Sequence, residues 1–270
     1  MKKEWYIFQT AVMFLTRISV SSSLPHDNAY MQKSLRYFPV VGWLVGGFSA
    51  LVYLVFSKYI SSDIGILASM IASVLATGAM HEDGLADVCD GFGGGWTKEK
   101  ILLIMKDSRI GAFGSMGLIA VLASKFMLLR ELPQFTPDLV HPSSNILLNS
   151  RYMILTLVAA HGLSRLMPVL VIRYLDNVSD PQSSKSKPMS TRRLSAPELL
   201  LTIAFALVPF IFMSWHFLLA IAPALYITYA SAKYFRKWIG GYTGDCLGAI
   251  QQLSEISFYL GVIIVWRYVL

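Results

Sequence analysis

Seven long apolar segments constrain the fold of this 270-residue chain more than any other feature of its sequence. Each reaches or approaches the roughly 20 residues that an α-helix needs to cross a bilayer. Only 14% of the residues are charged, against about 25% in a typical soluble domain. The segments are Phe38–Ile60, Asp63–Met80, Gly111–Leu129, Ile146–Leu175, Pro197–Met213, Phe217–Phe235 and Leu247–Val269. They predict an all-α, polytopic transmembrane bundle of about seven spans, with residues 1–270 forming one integral-membrane domain.

The N-terminal segment Trp5–Val20 is shorter and follows two lysines. A basic start and an apolar run are also typical of a signal peptide. Arg17 interrupts the run, however, and no small-residue cleavage site follows it. We therefore expect an interfacial or partly inserted helix.

Basic residues are distributed unevenly between the two sides that this threading defines. Residues 21–37, 82–110, 173–196 and 233–246 fall on one side and carry fourteen of the twenty-three Lys and Arg residues. The positive-inside rule places that side in the cytoplasm of a multi-pass protein of the inner membrane. The formal net charge of +7 is thus mainly topological and does not indicate a nucleic-acid partner. Anionic lipid or a phosphate substrate could also interact with these residues.

The remaining segments give organisation rather than chemistry. Asp176–Ser195 is rich in Ser, Pro and Lys and predicts a flexible cytoplasmic loop, with a basic clamp for phosphate or lipid as the alternative. Leu132–Ser144 contains three prolines and predicts an exterior loop. Cys89 and Cys246 both fall on the reducing side, so we expect no disulfide bond. No internal repeat is evident, and an inverted-repeat transporter therefore has no support from the sequence.

The segment from His81 to Gly114 concentrates six of the sixteen acidic residues between apolar segments. Asp83, Asp87 and Asp90 are spaced i, i+4 and i+7, so a helix would present their carboxylates on one face. Carboxylates this close repel one another and need a cation, and oxygen ligands suit Mg²⁺. The pattern predicts a metal site at the membrane edge. His81 could be a ligand, a base or a phosphate donor, whereas Glu82 lies off the acidic face and is expected to support the site or to be solvated.

Two further elements follow the acidic residues. Gly91, Gly93, Gly94 and Gly95 predict either a loop whose N–H groups approach an anion or a flexible turn. Arg109 can hold a phosphate bidentately, and Asp107 can add a carboxylate to the metal site. A salt bridge between Asp107 and Arg109 at the membrane edge is the simpler alternative.

Polar residues also enter two of the apolar segments. Asp245, Gly248, Gln252 and Glu255 share one face of the last segment, and an ionisable residue within a span is a functional candidate. His161 and Arg165 form an i, i+4 pair, for which a hydrogen bond between spans is an alternative role. We expect Asp245 to complete the metal shell or to act as the base. We expect Glu255 to orient an Arg or His partner, with Arg165 as the candidate.

Carboxylates, glycines and arginines at one membrane face indicate a metal-dependent reaction on a phosphate or diphosphate. At these residues the chain resembles the cobalamin synthase (adenosylcobinamide-GDP ribazoletransferase) family. The matching blocks, in the family's order, are FLTRISV (Phe14–Val20), YFPVVGWLVGG (Tyr37–Gly47), H-x-DGLAD-x-x-DG (His81–Gly91), IMKDSRIGAFG (Ile104–Gly114), Ser164-Arg165 and GG-x-TGD-x-LGA (Gly240–Ala249) with Glu255. The family usually has an apolar residue at the position of Glu82.

This resemblance implies the last assembly step of the cobalamin nucleotide loop, with Mg²⁺ as cofactor. α-Ribazole, or its 5′-phosphate, attacks adenosylcobinamide-GDP, GMP leaves, and adenosylcobalamin or its phosphate forms. The partners are then these small molecules and the lipid bilayer, and a homo-oligomer or an association with other enzymes of nucleotide-loop assembly is conceivable.

The expected roles of individual residues follow from the motifs and the resemblance together. The expected catalytic residues are Asp245, His81 and Arg109. The expected metal ligands are Asp83, Asp87, Asp90 and Asp107. The expected substrate-binding residues are Lys106, Ser108, Arg109, Arg165, Gly93, Gly94 and Thr243.

The sequence motifs leave three alternative functions to compare with this one. The motif DG-x-x-A begins like a CDP-alcohol phosphotransferase signature, but the expected Arg is Asp87 and the later acidic part is missing. A prenyltransferase would carry two Asp-rich N-D-x-x-D motifs, which the sequence lacks. A transporter would line the bilayer midplane with polar groups, whereas most charge here gathers at one face.

Overall fold

The computed structural model describes residues 2–20, 28–132, 150–179 and 194–270. Within these ranges the regular structure is helical, apart from one isolated bridge between Asn177 and Tyr242. The α-helices, numbered in chain order, are α1 (Lys2–Leu15), α2 (Asn28–Ser34), α3 (Phe38–Tyr59), α4 (Ser62–Thr77), α5 (Met80–Gly94), α6 (Lys98–Met105), α7 (Ala112–Glu131), α8 (Arg151–Tyr174), α9 (Ala196–Leu207), α10 (Ile221–Ile239) and α11 (Gly244–Tyr268). The expected all-α fold is confirmed for the described residues.

Fewer helices than predicted are long and apolar enough to cross a bilayer. The described residues contain five: Ala29–Tyr59, Ala112–Glu131, Arg151–Tyr174, Trp215–Ile239 and Gly244–Tyr268. A sixth would be α4 and α5 together, although they meet at an angle of 89°. The predicted span at Pro197–Met213 corresponds to the shorter apolar stretch Ala196–Phe212. Hydropathy located these segments correctly, but it does not report where a helix bends.

Glycines allow the long helices to approach one another closely. A Cβ at Gly42 or Gly46 of α3 would collide with the backbone of α8 near His161 and Leu157. Small residues four apart commonly permit this contact between membrane helices. The helix α8 is largely buried, as is α11, and the two form the centre of the bundle.

A sharp corner between α4 and α5 sets the direction of the acidic helix. Gly78 and Ala79 both adopt left-handed backbone conformations, with φ of 70° and 60°. The backbone N–H of Arg17 donates to the carbonyl of Ala76 at 2.8 Å, which ties the segment after α1 to this corner. The left-handed region is unfavourable for alanine, so packing rather than local preference imposes the turn.

The N-terminal segment forms the helix α1, as expected, and its interfacial or partly inserted position stays a prediction. One face of α1 is buried, and Glu4 pairs with Arg36 at 2.6 Å. Beyond Leu132, the predicted exterior loop Leu132–Ser144 lies outside the described residues. So does most of the predicted loop Asp176–Ser195. Cys89 and Cys246 are both free, in agreement with the expected absence of a disulfide bond.

Candidate active site

The three clustered aspartates lie on one helix. The helix α5 runs through Asp83, Asp87 and Asp90, which confirms the i, i+4, i+7 interpretation. Asp83 is exposed, and Asp87 and Asp90 are partly exposed. One face of this helix therefore presents carboxylates outward while the opposite face packs in the bundle.

A fourth carboxylate reaches this cluster because α5 and α11 are in backbone contact. A Cβ at Gly84 would stand 2.9 Å from the Cα and the carbonyl oxygen of Asp245, and one at Gly248 would stand 3.2 Å from the carbonyl oxygen of His81. Thr243 caps α11 by accepting the Cys246 N–H at 3.3 Å, and its hydroxyl donates to Asp245 Oδ2 at 3.3 Å. The glycines thus carry the two acidic motifs together, and Thr243 orients Asp245.

The electrostatics of the four carboxylates agree with this proximity. The charges of Asp245, Asp83 and Asp90 all act on the Asp87 carboxyl. Among the described residues, none of Asp83, Asp87 and Asp245 has an ion-pair partner. The described part of the chain also has no group of three His, Cys, Asp or Glu side chains already gathered as a metal site. The cluster is a concentration of negative charge whose side chains stay apart.

Asp90 has a structural partner at the start of α7. Its two carboxylate oxygens accept the backbone N–H groups of Gly111 at 2.7 Å and Gly114 at 2.8 Å. Those N–H groups belong to the first turn of a helix and have no partner within it. A Cβ at either glycine would collide with the Asp90 carboxylate. Asp90 therefore caps α7 from a neighbouring helix, which explains the two glycines of the IGAFG segment.

The predicted glycine-rich loop is wrong. Gly91, Gly93 and Gly94 continue α5, and Gly95 ends it with a φ of −106°. A Cβ at Gly93 would strike the ring of Phe113. These glycines allow α6 and α7 to pack closely against α5, and helical N–H groups in the interior of α5 are committed to its own hydrogen bonds.

The segment between α6 and α7 adopts the simpler of its two predicted roles. Arg109 donates from Nη2 and Nε to Asp107, with the shortest contact at 2.7 Å. These hydrogen bonds lower the pKa of Asp107 to about 2. Lys106, Ser108 and Arg109 are all exposed. A bidentate pair at the surface can exchange for a phosphate, because both partners are accessible to solvent.

His81 and Glu82 lie on the inner face of α5, away from the aspartates. Glu82 is 8% exposed and accepts a hydrogen bond from Gln252 at 2.9 Å, so of its two expected roles the solvated one is wrong. His81 is buried, and the charges that act on it belong to Arg165, Glu255, His161 and Lys125. The structure places His81 with a buried polar layer rather than with the acidic face.

Arg165 also belongs to this layer. It is 2% exposed, and its Nη1 lies 3.1 Å from His161 Nδ1 and 3.0 Å from the His161 carbonyl oxygen. Glu255 is expected from the sequence to orient an Arg or His partner, and the His alternative agrees with the position of His161. The candidate Arg165 is wrong, because Lys125 forms the close ion pair with that carboxylate, with Nζ 2.5 Å from Glu255 Oε1. His161 Nδ1 is 3.8 Å from the other oxygen. Lys125 is not among the residues predicted from the sequence, although a lone lysine inside an apolar span is itself a signal.

Fold and site together define a class of protein: a helical membrane protein with an acidic cluster at the edge of its bundle and a buried polar layer behind that cluster. Comparison with known proteins narrows the class. Residues 7–263 match the family model described as CobS, cobalamin-5-phosphate synthase. The chain therefore belongs to the cobalamin-5-phosphate synthase family.

Full-length relatives agree with this assignment. A protein of Leptospira interrogans named adenosylcobinamide-GDP ribazoletransferase is 38% identical over 99% of this chain and 98% of its own length. Proteins of the same name from Vibrio cholerae and Shewanella piezotolerans are each 42% identical, over 94% and 98% of this chain and 92% and 97% of their own lengths. No solved structure matches the chain significantly.

Proposed function

We propose that this chain transfers ribazole to adenosylcobinamide-GDP at the cluster formed by Asp83, Asp87 and Asp245. The family match and the full-length relatives make it an adenosylcobinamide-GDP ribazoletransferase, a transferase of cobalamin biosynthesis. The observation that supports the location of the site is the close contact at Gly84, which joins the DGLAD and TGD motifs. The reaction forms an ester bond between the ribazole hydroxyl and the phosphorus attached to cobinamide, and it breaks the diphosphate so that GMP leaves.

Carboxylates alone would repel a diphosphate, and this argues for a divalent cation at the cluster. The donor set fits Mg²⁺ chemically, because Asp83, Asp87 and Asp245 offer only oxygen atoms and lack ion-pair partners in the described residues. Asp90 can contribute only lone pairs that remain beside its two N–H contacts. Asp107 would first have to release Arg109. When bound, Mg²⁺ would neutralise phosphoryl oxygens and polarise the phosphorus under attack.

The proposed base is Asp245, because Thr243 fixes one of its oxygens and its helix packs against α5. Its carboxylate would take the proton of the attacking ribazole hydroxyl. Lys106, Ser108 and Arg109 are proposed to bind the leaving guanosine phosphate from the exposed turn after α6. Gly93 and Gly94 are exposed, and we propose that they line the approach to that turn; the ring of Phe113 fills the space beside Gly93, so a substrate would reach only backbone atoms there.

Two predicted site residues receive indirect roles. His81 and Arg165 are buried behind α5, so we propose that they support the acidic face from inside and do not touch the substrate.

We propose that the site faces the cytoplasm of the inner membrane. The argument is the excess of Lys and Arg on the sequence segments that join it. A seven-span arrangement would count α4 and the stretch Ala196–Phe212 as short spans; the latter begins with a complete capping box at Ser195 and Glu198. An association with a second copy or with other enzymes of nucleotide-loop assembly stays a prediction.

The test uses purified protein in detergent, with GMP release from adenosylcobinamide-GDP and α-ribazole as the measurement. Asp87→Asn should lower turnover about a thousandfold, since it removes a carboxylate from the charge-stabilising centre. Asp63→Asn is the matched control. Asp63 lies in the first turn of α4, at the end away from α5, and its ion pair in the described residues is an exposed one with Arg130 of α7. Normal turnover in a well-folded Asp87→Asn protein would contradict the location of the site.

The metal has its own test. Chelation should abolish GMP release, and Mg²⁺ should restore it in the wild type but not in Asp87→Asn. Asp245→Asn should stay inactive at saturating Mg²⁺ if Asp245 is the base, whereas partial rescue by Mg²⁺ would make it a ligand. Full activity of Asp245→Asn at ordinary Mg²⁺ would remove Asp245 from the site.

A further inference from the structure

A layer of buried polar side chains lies directly behind the acidic face, and none of its members touches the substrate in the reaction as proposed. It joins four helices, α5, α7, α8 and α11. Its central members are Lys125, His161, Arg165, Gln251, Gln252 and Glu255, and each is at most 3% exposed. Burying this many polar groups is costly unless they satisfy one another, so the layer must serve a purpose in the bundle.

The centre of the layer is the ion pair between Lys125 and Glu255. Lys125 is 2% exposed and Glu255 is 1% exposed. The carboxylate also accepts hydrogen bonds from Tyr259 Oη at 2.9 Å and from Gln251 Nε2 at 2.8 Å. Removal of Lys125 alone would leave a buried carboxylate with His161, at 3.8 Å, as its nearest basic neighbour in the described part of the chain.

A chain of hydrogen bonds leads from this pair to the acidic helix. Gln251 holds Glu255, and Gln252 Nε2 donates to Gln251 Oε1 and to Glu82 Oε1, both at 2.9 Å. Glu82 immediately precedes Asp83 in sequence. A change at the ion pair therefore reaches the residue next to the first carboxylate of the site through direct contacts.

The chain of hydrogen bonds crosses from α11 to α5, the two helices that bear the carboxylates. Gln252 is on α11, as is Asp245, whereas Glu82 is on α5 with Asp83 and Asp87. The bond from Gln252 to Glu82 thus joins the two helices that bear the carboxylates, a few residues from their contact at Gly84. Groups that hold metal ligands from behind commonly tune the affinity of the site.

We propose that Lys125 is a positioning residue: through Glu255, Gln251 and Gln252 it fixes α11 against α5 and so sets the separation of Asp245 from Asp83 and Asp87. This role rests on the proposed function, in which those carboxylates hold a divalent cation. It assigns a use to a lysine that neither touches substrate nor reaches the acidic face.

The test separates positioning from simple stability by measuring metal binding and turnover per folded molecule. The variants are Lys125→Met, Lys125→Arg and the double variant Lys125→Met with Glu255→Gln. The control is Lys58→Met, because Lys58 is an exposed lysine on α3. Mn²⁺ binding to purified protein without substrate is followed by electron paramagnetic resonance, and GMP release is titrated with Mg²⁺.

Lys125→Met should weaken Mn²⁺ binding and raise the half-saturating Mg²⁺ concentration severalfold. This is less than the roughly tenfold effect of removing a group bonded directly to a metal ligand, because Lys125 acts through Glu255, Gln251 and Gln252. Lys125→Arg keeps the charge and should bind Mn²⁺ more tightly than Lys125→Met. The double variant removes both members of the ion pair and should recover folded yield. It should still bind Mn²⁺ more weakly than the wild type, because position 255 is no longer held by Lys125 and a neutral amide oxygen accepts from Gln251 more weakly than the carboxylate does.

The outcomes discriminate between the two ideas. If Lys125→Met and the double variant bind Mn²⁺ like the wild type, with only a lower melting temperature, the positioning role is refuted while the metal site stands. If wild-type turnover needs no metal, or Asp87→Asn binds Mn²⁺ normally, the proposed site is refuted and the positioning role falls with it. If Lys125→Met does not fold, Gln252→Leu combined with Glu82→Leu interrupts the same chain of hydrogen bonds and leaves no buried carboxylate without its donor, and normal Mn²⁺ binding there would refute the role.

Discussion

Gly84→Ala tests whether the contact between α5 and α11 builds the site. The added methyl group would stand 2.9 Å from two backbone atoms of Asp245, where ordinary contact begins at 3.4 Å. Backbone atoms cannot rotate away, so the helices must separate by about 0.5 Å for normal van der Waals packing. Overpacking of this kind costs about 1–3 kcal/mol, offset in part by the roughly 1 kcal/mol that alanine gains over glycine in a helix.

The effect on the reaction should exceed the effect on stability. A misplacement of about 1 Å can cost about a hundredfold in rate, so half that shift should lower turnover about tenfold. The assay is GMP release at saturating Mg²⁺, alongside thermal unfolding in the same detergent. Gly47→Ala is the control, because a Cβ at Gly47 meets nothing within 4 Å.

The reasoning is refuted if Gly84→Ala retains both the turnover and the melting temperature of the wild type. That result would mean that the two helices do not touch at this position. A loss of stability with full turnover per folded molecule would keep the contact but separate it from the chemistry.

Three further experiments test the capping of α7 by Asp90, the ionisation of Asp107 and the membrane topology. Asp90→Ala should lower the free energy of unfolding by about 1–3 kcal/mol, because two backbone N–H groups at the start of α7 lose their acceptor, and an unchanged melting temperature would contradict the capping role. Asp107→Asn should leave the shape of the pH–rate profile unchanged near neutrality. The pKa of Asp107 is lowered to about 2, so its ionised form persists below its ordinary pKa and is lost only in strong acid; a shifted limb near neutral pH would refute this. The membrane topology is tested with single cysteines in a background where both native cysteines are replaced by serine. Trp96→Cys should react with an impermeant thiol reagent from the cytoplasm and Trp215→Cys from the outside, since both tryptophans are well exposed. Labelling of both from the same side would contradict the proposed topology.

Much of the fold follows from hydropathy, since apolar runs must become helices in a bilayer. The corner at Gly78 and Ala79 could not be read in the same way, because alanine gives no signal for a left-handed conformation. The sequence therefore predicts a continuous apolar span at Asp63–Met80, whereas the helix ends at Thr77 and the acidic helix leaves at 89°. Hydropathy counts residues and carries no information about direction.

The acidic face was predictable because its spacing is local to one helix. The predicted loop at the glycines after it is wrong, because glycine favours a loop by local propensity and the sequence does not reveal close helix packing. Phe113 and Met105 occupy the space that side chains would need at Gly93 and Gly91. Tertiary packing therefore overrode local propensity at the end of α5.

Glu82 and Asp83 show how one helix serves both halves of the molecule. Successive residues on a helix are about 100° apart, so neighbours in sequence face different surroundings. Glu82 turns inward and accepts from Gln252, whereas Asp83 is exposed on the acidic face. The outer face can gather like charges because the inner face is held by a buried ion pair and by backbone contact at Gly84. Rigid attachment from behind is what a face made of mutually repelling carboxylates requires, since no ion pair in the described residues relieves the repulsion at Asp83, Asp87 or Asp245.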